Sequence, residues 1–95
     1  MSTFKDIFDA MKSGTVEDVQ YFIEKQGVDV NTANENGATL LHLAAGACGD
    51  LEIVKYLISK GADAHAKDGL DETPLDVADT DEKKRILREA MGISE

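Results

Sequence analysis

The chain repeats itself at an interval of 34 or 35 residues, and this repetition restricts its possible folds more than any other feature. The ten residues that begin at Gly14 and the ten that begin at Gly49 are identical at five positions. Two of the remaining positions exchange one apolar residue for another. Two further pairs of segments match in the same way, namely 27–31 with 61–65 and 39–44 with 73–78. A period of this length is typical of proteins built from stacked repeats.

Each repeat predicts two short helices followed by an extended loop. In the first unit Thr15 is placed to cap the second helix, and a loop covers residues 28–38. In the second unit Thr39 caps a helix over residues 40–47, and Gly61 ends the helix that follows the turn at Gly49. The predicted apolar stripes are Phe4, Ile7, Phe8 and Met11; Val16, Val19, Phe22 and Ile23; and Leu51, Val54, Leu57 and Ile58.

The third unit keeps the plan in a shortened form. Thr73 caps its first helix, and Pro74 occupies the first helical position, where its missing N–H costs nothing. The last helix is predicted to begin near Asp81 and to end at Gly92, with acids first and bases after them, as the helix dipole favours. Its predicted buried side consists of Ile86, Leu87, Ala90 and Met91.

These motifs resemble the ankyrin repeat. The segment 39–45, Thr-Leu-Leu-His-Leu-Ala-Ala, is similar to the family's Thr-Pro-Leu-His-x-Ala-Ala, and 49–58 is similar to its second-helix signature. The segment 61–64 looks like the Gly-Ala-Asp-Val that closes a repeat. The resemblance covers residues 4–91 and implies an all-α solenoid of stacked helix-turn-helix pairs joined by extended β-turn loops.

The resemblance implies a single domain over residues 1–95. The units are a repeat or cap over about 3–33, a repeat over about 34–67 and a repeat or cap over about 68–92, because terminal repeats meet water on one face. The sequence departs from the family pattern at several positions, of which Leu40, Asp71 and one extra residue affect loop details. Leu40 replaces a proline, Asp76 replaces the histidine, and Asp71 replaces a turn glycine. One extra residue between Ala44 and Gly49 predicts a bulged turn.

Candidate catalytic groups are few, and each has a structural alternative. His42 is either a catalytic base or, as the family implies, a residue that ties the Thr39 hydroxyl to a neighbouring loop. Cys48 is a nucleophile only if a base activates it, and otherwise a plain or oxidisable thiol. His65 has no ligand partners at suitable spacing, so a structural or solvated role is expected. We therefore expect no enzyme activity, no cofactor and no metal.

The formal net charge of −9 argues against nucleic acid and anionic membranes as partners. No apolar run reaches the ~20 residues of a membrane span. A single cysteine and no targeting segment favour a cytoplasmic location, with the nucleus as the alternative. From Asp68 to Glu82 there are seven acids and no Lys or Arg. This run is either a solvated face or a patch for a basic partner.

The family resemblance implies a protein–protein interaction module, an adaptor or inhibitor that acts as a monomer. Its binding surface is expected on the concave face formed by loop tips and first helices, with Leu70 as an apolar anchor. The alternative is a designed or truncated scaffold without a specific partner. The residues expected to contact the partner are Glu35, Asn36, Ala38, Gly46, Ala47, Lys67, Gly69, Leu70, Glu72, Asp79 and Thr80.

Overall fold

The computed structural model describes residues 5–13, 15–46 and 51–92, with the side chain of Ser13 excepted. Over these ranges the chain is helical and elongated, with principal dimensions of 41 × 24 × 21 Å. The helices are α1 (Ile7–Ser13), α2 (Val16–Gln20, continued by a π-helical turn at Tyr21–Lys25), α3 (Leu40–Ala45), α4 (Leu51–Ser59), α5 (Pro74–Val77) and α6 (Asp81–Met91). None of these helices combines the length and hydropathy that crossing a membrane requires.

The helices stack in two layers that follow the repeat. The first helices pack in the order α1, α3, α5, and the second helices pack in the order α2, α4, α6. The pair that contains Tyr21 therefore lies in line with the pair that contains Tyr56, as the repeat predicts. Because a short helix pair cannot cover its own apolar stripe, each pair uses its neighbour to exclude water.

The core follows most of the predicted stripes. Met11, Val19, Leu41, Leu57 and Leu87 are almost completely buried. Phe8, Val16, Ile23, Leu51 and Ile58 are half-buried. Ile53, which the predicted stripe of α4 leaves out, is also buried. Phe4 lies outside the described residues.

The predicted buried side of α6 is wrong at one position. Ala90 is exposed, and Lys83, which the predicted buried side leaves out, is only 5% exposed. The Lys83 amine donates to the carbonyl oxygen of Gly46 at 2.9 Å and to Asp79 Oδ1 at 3.0 Å. The last carbonyls of a helix have no partner within it. Lys83 therefore satisfies the end of α3 and joins the second unit to the third.

Threonines begin three of the helices, and two of these caps, Thr39 and Thr73, are predicted by the sequence. The hydroxyl oxygens of Thr39, Thr73 and Thr80 accept the backbone N–H of the residue three positions later, at 3.3, 3.3 and 3.2 Å. Each bond satisfies one of the unpaired donors of a helix start. Pro74 occupies the first position of α5. At the start of α2 a different bond is formed. There the backbone N–H of Thr15 donates to the side chain of Asp18, at 3.0 Å from Oδ2.

The second helices are joined on the far side by a tyrosine. The Tyr56 hydroxyl donates to Glu24 Oε2 at 2.7 Å, and Lys60 lies 3.7 Å from the same oxygen. Burial, and then the carboxylate, raise the pKa of Tyr56. The hydrogen bond from Tyr56 holds the pKa of Glu24 below its usual value. This contact links α4 to the π-helical turn that ends the second helix of the first unit.

The two loop tips have the same hydrogen bonds at an interval of 34 residues. In the first tip, Asn34 Oδ1 accepts the N–H groups of Asn36 and Ala38 at 2.9 and 3.1 Å. The Asn34 carbonyl accepts the N–H of Gly37 at 2.9 Å. One side chain and its own backbone therefore hold the four residues that follow.

The second tip repeats these bonds around Asp68. Asp68 Oδ1 accepts the N–H groups of Leu70 and Glu72 at 2.9 and 3.0 Å, and its carbonyl accepts that of Asp71 at 3.0 Å. Asp71 has a left-handed φ of 64°, the conformation that Gly37 adopts in the first tip. Aspartate tolerates this conformation better than most residues, so replacing the family's glycine preserves the turn.

The tips are also joined to each other. The N–H of Gly69 donates to the carbonyl oxygen of Asn36 at 2.8 Å. A Cβ at residue 69 would lie 2.7 Å from that oxygen, which is closer than real Cβ atoms approach. Position 69 therefore needs glycine for close approach of two backbones.

We predict that Gly69→Ala lowers the free energy of unfolding by about 1–3 kcal/mol, because the methyl group breaks the bond between the tips. Urea unfolding followed by circular dichroism measures the change. Gly46→Ala is the matched control, since a Cβ there meets its nearest neighbour at an ordinary 3.6 Å. Equal losses for the two variants would contradict the close-approach explanation.

Candidate functional site

The side of the stack formed by the first helices and the loop tips carries a groove made of two adjoining cavities. The first, of about 490 Å³, lies between α1 and the first loop tip. The second, of about 540 Å³, lies between the two loop tips and α3. Both cavities are lined by Asn34, Glu35 and Leu43. The two cavities therefore form one continuous groove that runs across the first helices.

The floor of the groove is apolar, and the loop tips form its wall. Leu43 and Phe8, both half-buried, supply the floor together with part of Met11. Leu70, at the second tip, is 80% exposed. Because hydrogen bonds fix the backbone of both tips, the wall has a defined shape before any partner arrives.

Negative charge surrounds this floor. Where the structure describes the chain, the carboxylates that line the groove are Asp6, Asp9, Glu35 and Asp68, and the amine is Lys12. Asp6 Oδ1 accepts the N–H of Asp9 at 3.0 Å. Asp68 uses Oδ1 within its tip. Among the described residues, Glu35 makes no hydrogen bond or ion pair to protein atoms.

The turn at the second tip stabilises the charged form of Asp68. The N–H of Glu72, and secondly that of Leu70, hold the pKa of the Asp68 carboxyl below its usual value. A carboxylate that accepts backbone N–H bonds loses them in part when it is protonated. The charge of Asp68 therefore contributes to the shape of the groove as well as to its potential.

Some of the residues expected to contact a partner line the groove, and others do not. Those in the second cavity are Glu35, Asn36, Ala38, Gly69 and Leu70. The remaining described residues lie elsewhere on the second and third units. Ala38, Gly46 and Glu72 are half-buried rather than exposed. Ala47, like Cys48 and the predicted bulged turn, lies outside the described residues.

The expected residues outside the groove have structural contacts of their own. Lys67 forms an ion pair with Asp71 at 3.3 Å. Gly46 and Asp79 hold the amine of Lys83, and Thr80 caps α6. These contacts give the residues structural roles, but they do not place them beside the floor formed by Leu43 and Phe8.

The sequence pattern did not identify the two floor residues, Phe8 and Leu43, as part of a binding surface. Phe8 belongs to the apolar face of α1, but it is only half-buried and lines the first cavity. Leu43 follows His42 at the variable position of the motif Thr-Pro-Leu-His-x-Ala-Ala. A motif position that varies between two invariant positions is expected to face away from the core. This position of the motif therefore indicates that Leu43 is accessible.

His42 has the structural role that the family resemblance implies. The N–H of Thr39 donates to His42 Nδ1 at 3.2 Å, and the Thr39 hydroxyl lies 2.8 Å from the same nitrogen. His42 Nε2 donates to the carbonyl oxygen of Glu72 at 2.6 Å. A backbone N–H only donates and a carbonyl only accepts, so the ring is neutral with its proton on Nε2. Both nitrogens are occupied, and the ring is 3% exposed.

In the third unit Asp76 makes the same contacts to Thr73 that His42 Nδ1 makes to Thr39. Its Oδ2 accepts the N–H of Thr73 at 2.9 Å and its hydroxyl at 3.1 Å. A carboxylate cannot donate to a further loop as the imidazole of His42 does. His65, the second histidine, is exposed, and its backbone N–H donates to Asp63 Oδ1 at 2.9 Å. Within the described ranges no three His, Cys, Asp or Glu side chains are grouped to hold a metal ion.

Comparison with known proteins agrees with this arrangement. A family profile described as ankyrin repeats in many copies matches residues 17–78. The chain is 37% identical to α-latrocrustotoxin-Lt1a of Latrodectus tredecimguttatus, over 90% of this chain and 6% of the toxin. It is 36% identical to human protein phosphatase 1 regulatory subunit 27, over 84% of this chain and 51% of that protein.

A solved structure shows the same fold. The ankyrin repeat domain of Bcl-3 matches 86% of this chain with a TM-score of 0.77 and 33% sequence identity. The match covers 35% of the Bcl-3 chain. This chain therefore spans only part of each of these relatives, between 6% and about half of their length.

We predict that His42→Ala lowers the free energy of unfolding by about 3 kcal/mol, because it leaves the buried Thr39 N–H and the half-buried Glu72 carbonyl without partners. Asp76→Ala, which removes an exposed cap, should cost about 1 kcal/mol. Chemical unfolding of both variants measures the difference. A cost for His42→Ala no larger than that of Asp76→Ala would show that the link to Glu72 contributes nothing.

The stability of the fold should depend on the charge of Asp68 in acid. Its pKa in the folded chain lies below the ordinary value of 3.8, so its stabilisation is present above that pH and is lost as the pH falls through the folded pKa. We predict that Asp68→Asn makes the unfolding free energy fall less steeply below about pH 4.

The matched control for Asp68→Asn is Asn34→Asp at the equivalent position of the first tip. It introduces a carboxylate that accepts the same backbone donors, so it should make the fall in acid steeper. Denaturant unfolding at a series of pH values gives both slopes. Identical slopes for the wild-type chain and Asp68→Asn would show that the turn does not favour the carboxylate.

Proposed function

This chain belongs to the ankyrin-repeat family, and we propose that it binds a protein partner in the groove on its concave side and acts as a non-catalytic adaptor or inhibitor. The repeats of this family generally serve as protein-interaction modules. The observation that carries the proposal is the continuous groove, in which the apolar side chains of Leu43, Phe8 and Leu70 are open to water beside rigid loop tips.

The physical properties of the groove support binding of a protein. Apolar surface that water now covers contributes about 25 cal/mol per Å² when a partner buries it. The hydrogen bonds around Asn34 and Asp68 hold the tips in place beforehand, which limits the entropy lost on binding. A surface that combines an apolar floor with a charged rim resembles the binding faces of other proteins.

The proposal of a non-catalytic role has support in the chemistry of His42. Both of its ring nitrogens are engaged in hydrogen bonds, so neither is free to take a proton from a substrate. Protein phosphatase 1 regulatory subunit 27 is, by its name, a subunit of a larger complex. We propose a comparable regulatory or adaptor role for this chain, with a partner of its own.

Finer features of the proposal concern the partner and the organisation of the chain. The acids around the groove favour a partner with a basic surface, because opposite charge speeds encounter and fixes orientation. We propose a monomer that works in the cytoplasm. We also propose that the units 3–33 and 68–92 act as caps around the repeat 34–67, since Asp76 lacks the second nitrogen that links His42 to a further loop.

We predict that Leu70→Asp weakens partner binding and leaves the melting temperature within about 2 °C of the wild-type value, because Leu70 is 80% exposed. Affinity capture from the source cell followed by mass spectrometry compares the proteins that each variant retains. Glu52→Lys is the control, since this exposed residue lies on α4 outside the groove.

The result expected is one set of proteins retained by the wild-type chain and by Glu52→Lys and lost from Leu70→Asp. Retention of the same set by all three would contradict binding in the groove. Retention of nothing by the wild-type chain at low salt would favour a scaffold without a specific partner.

A further inference from the structure

We propose that the groove takes a short linear segment of the partner, in which one apolar side chain packs against Leu43 and a neighbouring Lys or Arg pairs with Glu35. This inference rests on the proposed function and adds the chemistry of the segment that is bound. It arises from the position of these two residues, which line both cavities of the groove.

Leu43 is the central apolar contact of the groove. Its neighbours His42 and Ala44 are buried, whereas Leu43 itself is half-buried and lines the place where the two cavities meet. Phe8 lines only the first cavity and Leu70 only the second. An apolar side chain that enters at Leu43 therefore has further apolar surface on either side, along the direction of the groove.

Glu35 is the carboxylate best placed to receive a cation. It is exposed, it lines both cavities, and it has no hydrogen bond or ion pair with other residues of the described ranges. Asp6 and Asp68, by contrast, each use one carboxylate oxygen to hold backbone N–H groups. A cation from the partner can pair with Glu35 without breaking a bond within the chain.

The charge balance of the groove excludes the opposite kind of segment. Within the part of the chain that the structure describes, four carboxylates and one amine line it, so an acidic segment would be repelled while a basic one is attracted. The two cavities share one wall and one floor, which gives the site the form of a channel open along its length. An extended segment fits this form, with alternate side chains directed towards the floor and the rim.

The experiment is a selection of random peptides displayed on phage, with the wild-type chain as the target. The enriched peptides are then synthesised with a fluorescent label, and their affinities are measured by anisotropy at low ionic strength. We expect Lys or Arg within one or two positions of a large apolar residue. We expect Glu35→Lys and Leu43→Ser each to weaken binding by about tenfold or more, and the control Glu52→Lys to change it less than about twofold.

The outcomes distinguish this inference from the proposed function. Peptides that lack basic residues, or basic peptides that bind Glu35→Lys as tightly as the wild-type chain, overturn the inference. If such peptides still lose affinity in Leu43→Ser, binding in the groove stands. Peptides that are indifferent to both substitutions, or a selection that enriches none, overturn both. Because Glu35 is exposed, its variant keeps the test valid even if Leu43→Ser disturbs the fold.

Discussion

The hydrogen bond from His42 Nε2 to the carbonyl oxygen of Glu72 is the interaction on which the arrangement of the second and third units depends. It joins the start of α3 to the loop of the following unit, and the histidine that donates it is only 3% exposed. The bond from Gly69 to Asn36 and the bond from Asp63 to Asn31 Oδ1 join the loop over residues 28–38 to the next loop of the chain. With the loops held at this spacing, the apolar stripes of the helices face each other and the stack closes.

Much of the fold can be predicted from the sequence because its main signals are local. A threonine cap needs only a backbone N–H three residues further along the chain, so the starts of α3, α5 and α6 follow from short segments. The burial of Lys83 and the exposure of Ala90 could not be predicted from such local signals. Lys83 is buried because its amine reaches the free carbonyl of Gly46, which is 37 residues away in the chain. The periodicity of apolar residues cannot predict a contact between residues so far apart in the sequence.

The wall of the groove could be predicted from the sequence, whereas its floor could not. Its wall consists of loop tips that repeat at a fixed interval, so Glu35, Asn36, Gly69 and Leu70 could be assigned to it from the sequence. Its floor consists of residues that belong to apolar faces as well. Phe8 packs against the core with one side and lines the groove with the other. A pattern that separates apolar from polar positions cannot distinguish a fully buried side chain from one that is buried on one side.

The structure of the tips separates what stabilises them from what they present to a partner. The first residue of each tip, Asn34 or Asp68, accepts the backbone N–H groups that hold the turn, and the fourth, Gly37 or Asp71, adopts the left-handed conformation. At the third position neither the Asn36 nor the Leu70 side chain is needed for these bonds, because only the backbone at that position takes part. Side chains there can change from amide to leucine while the turn stays intact, as these two tips themselves demonstrate. An interaction surface built in this way can alter its chemistry at the rim of the groove with little effect on the stability of the stack.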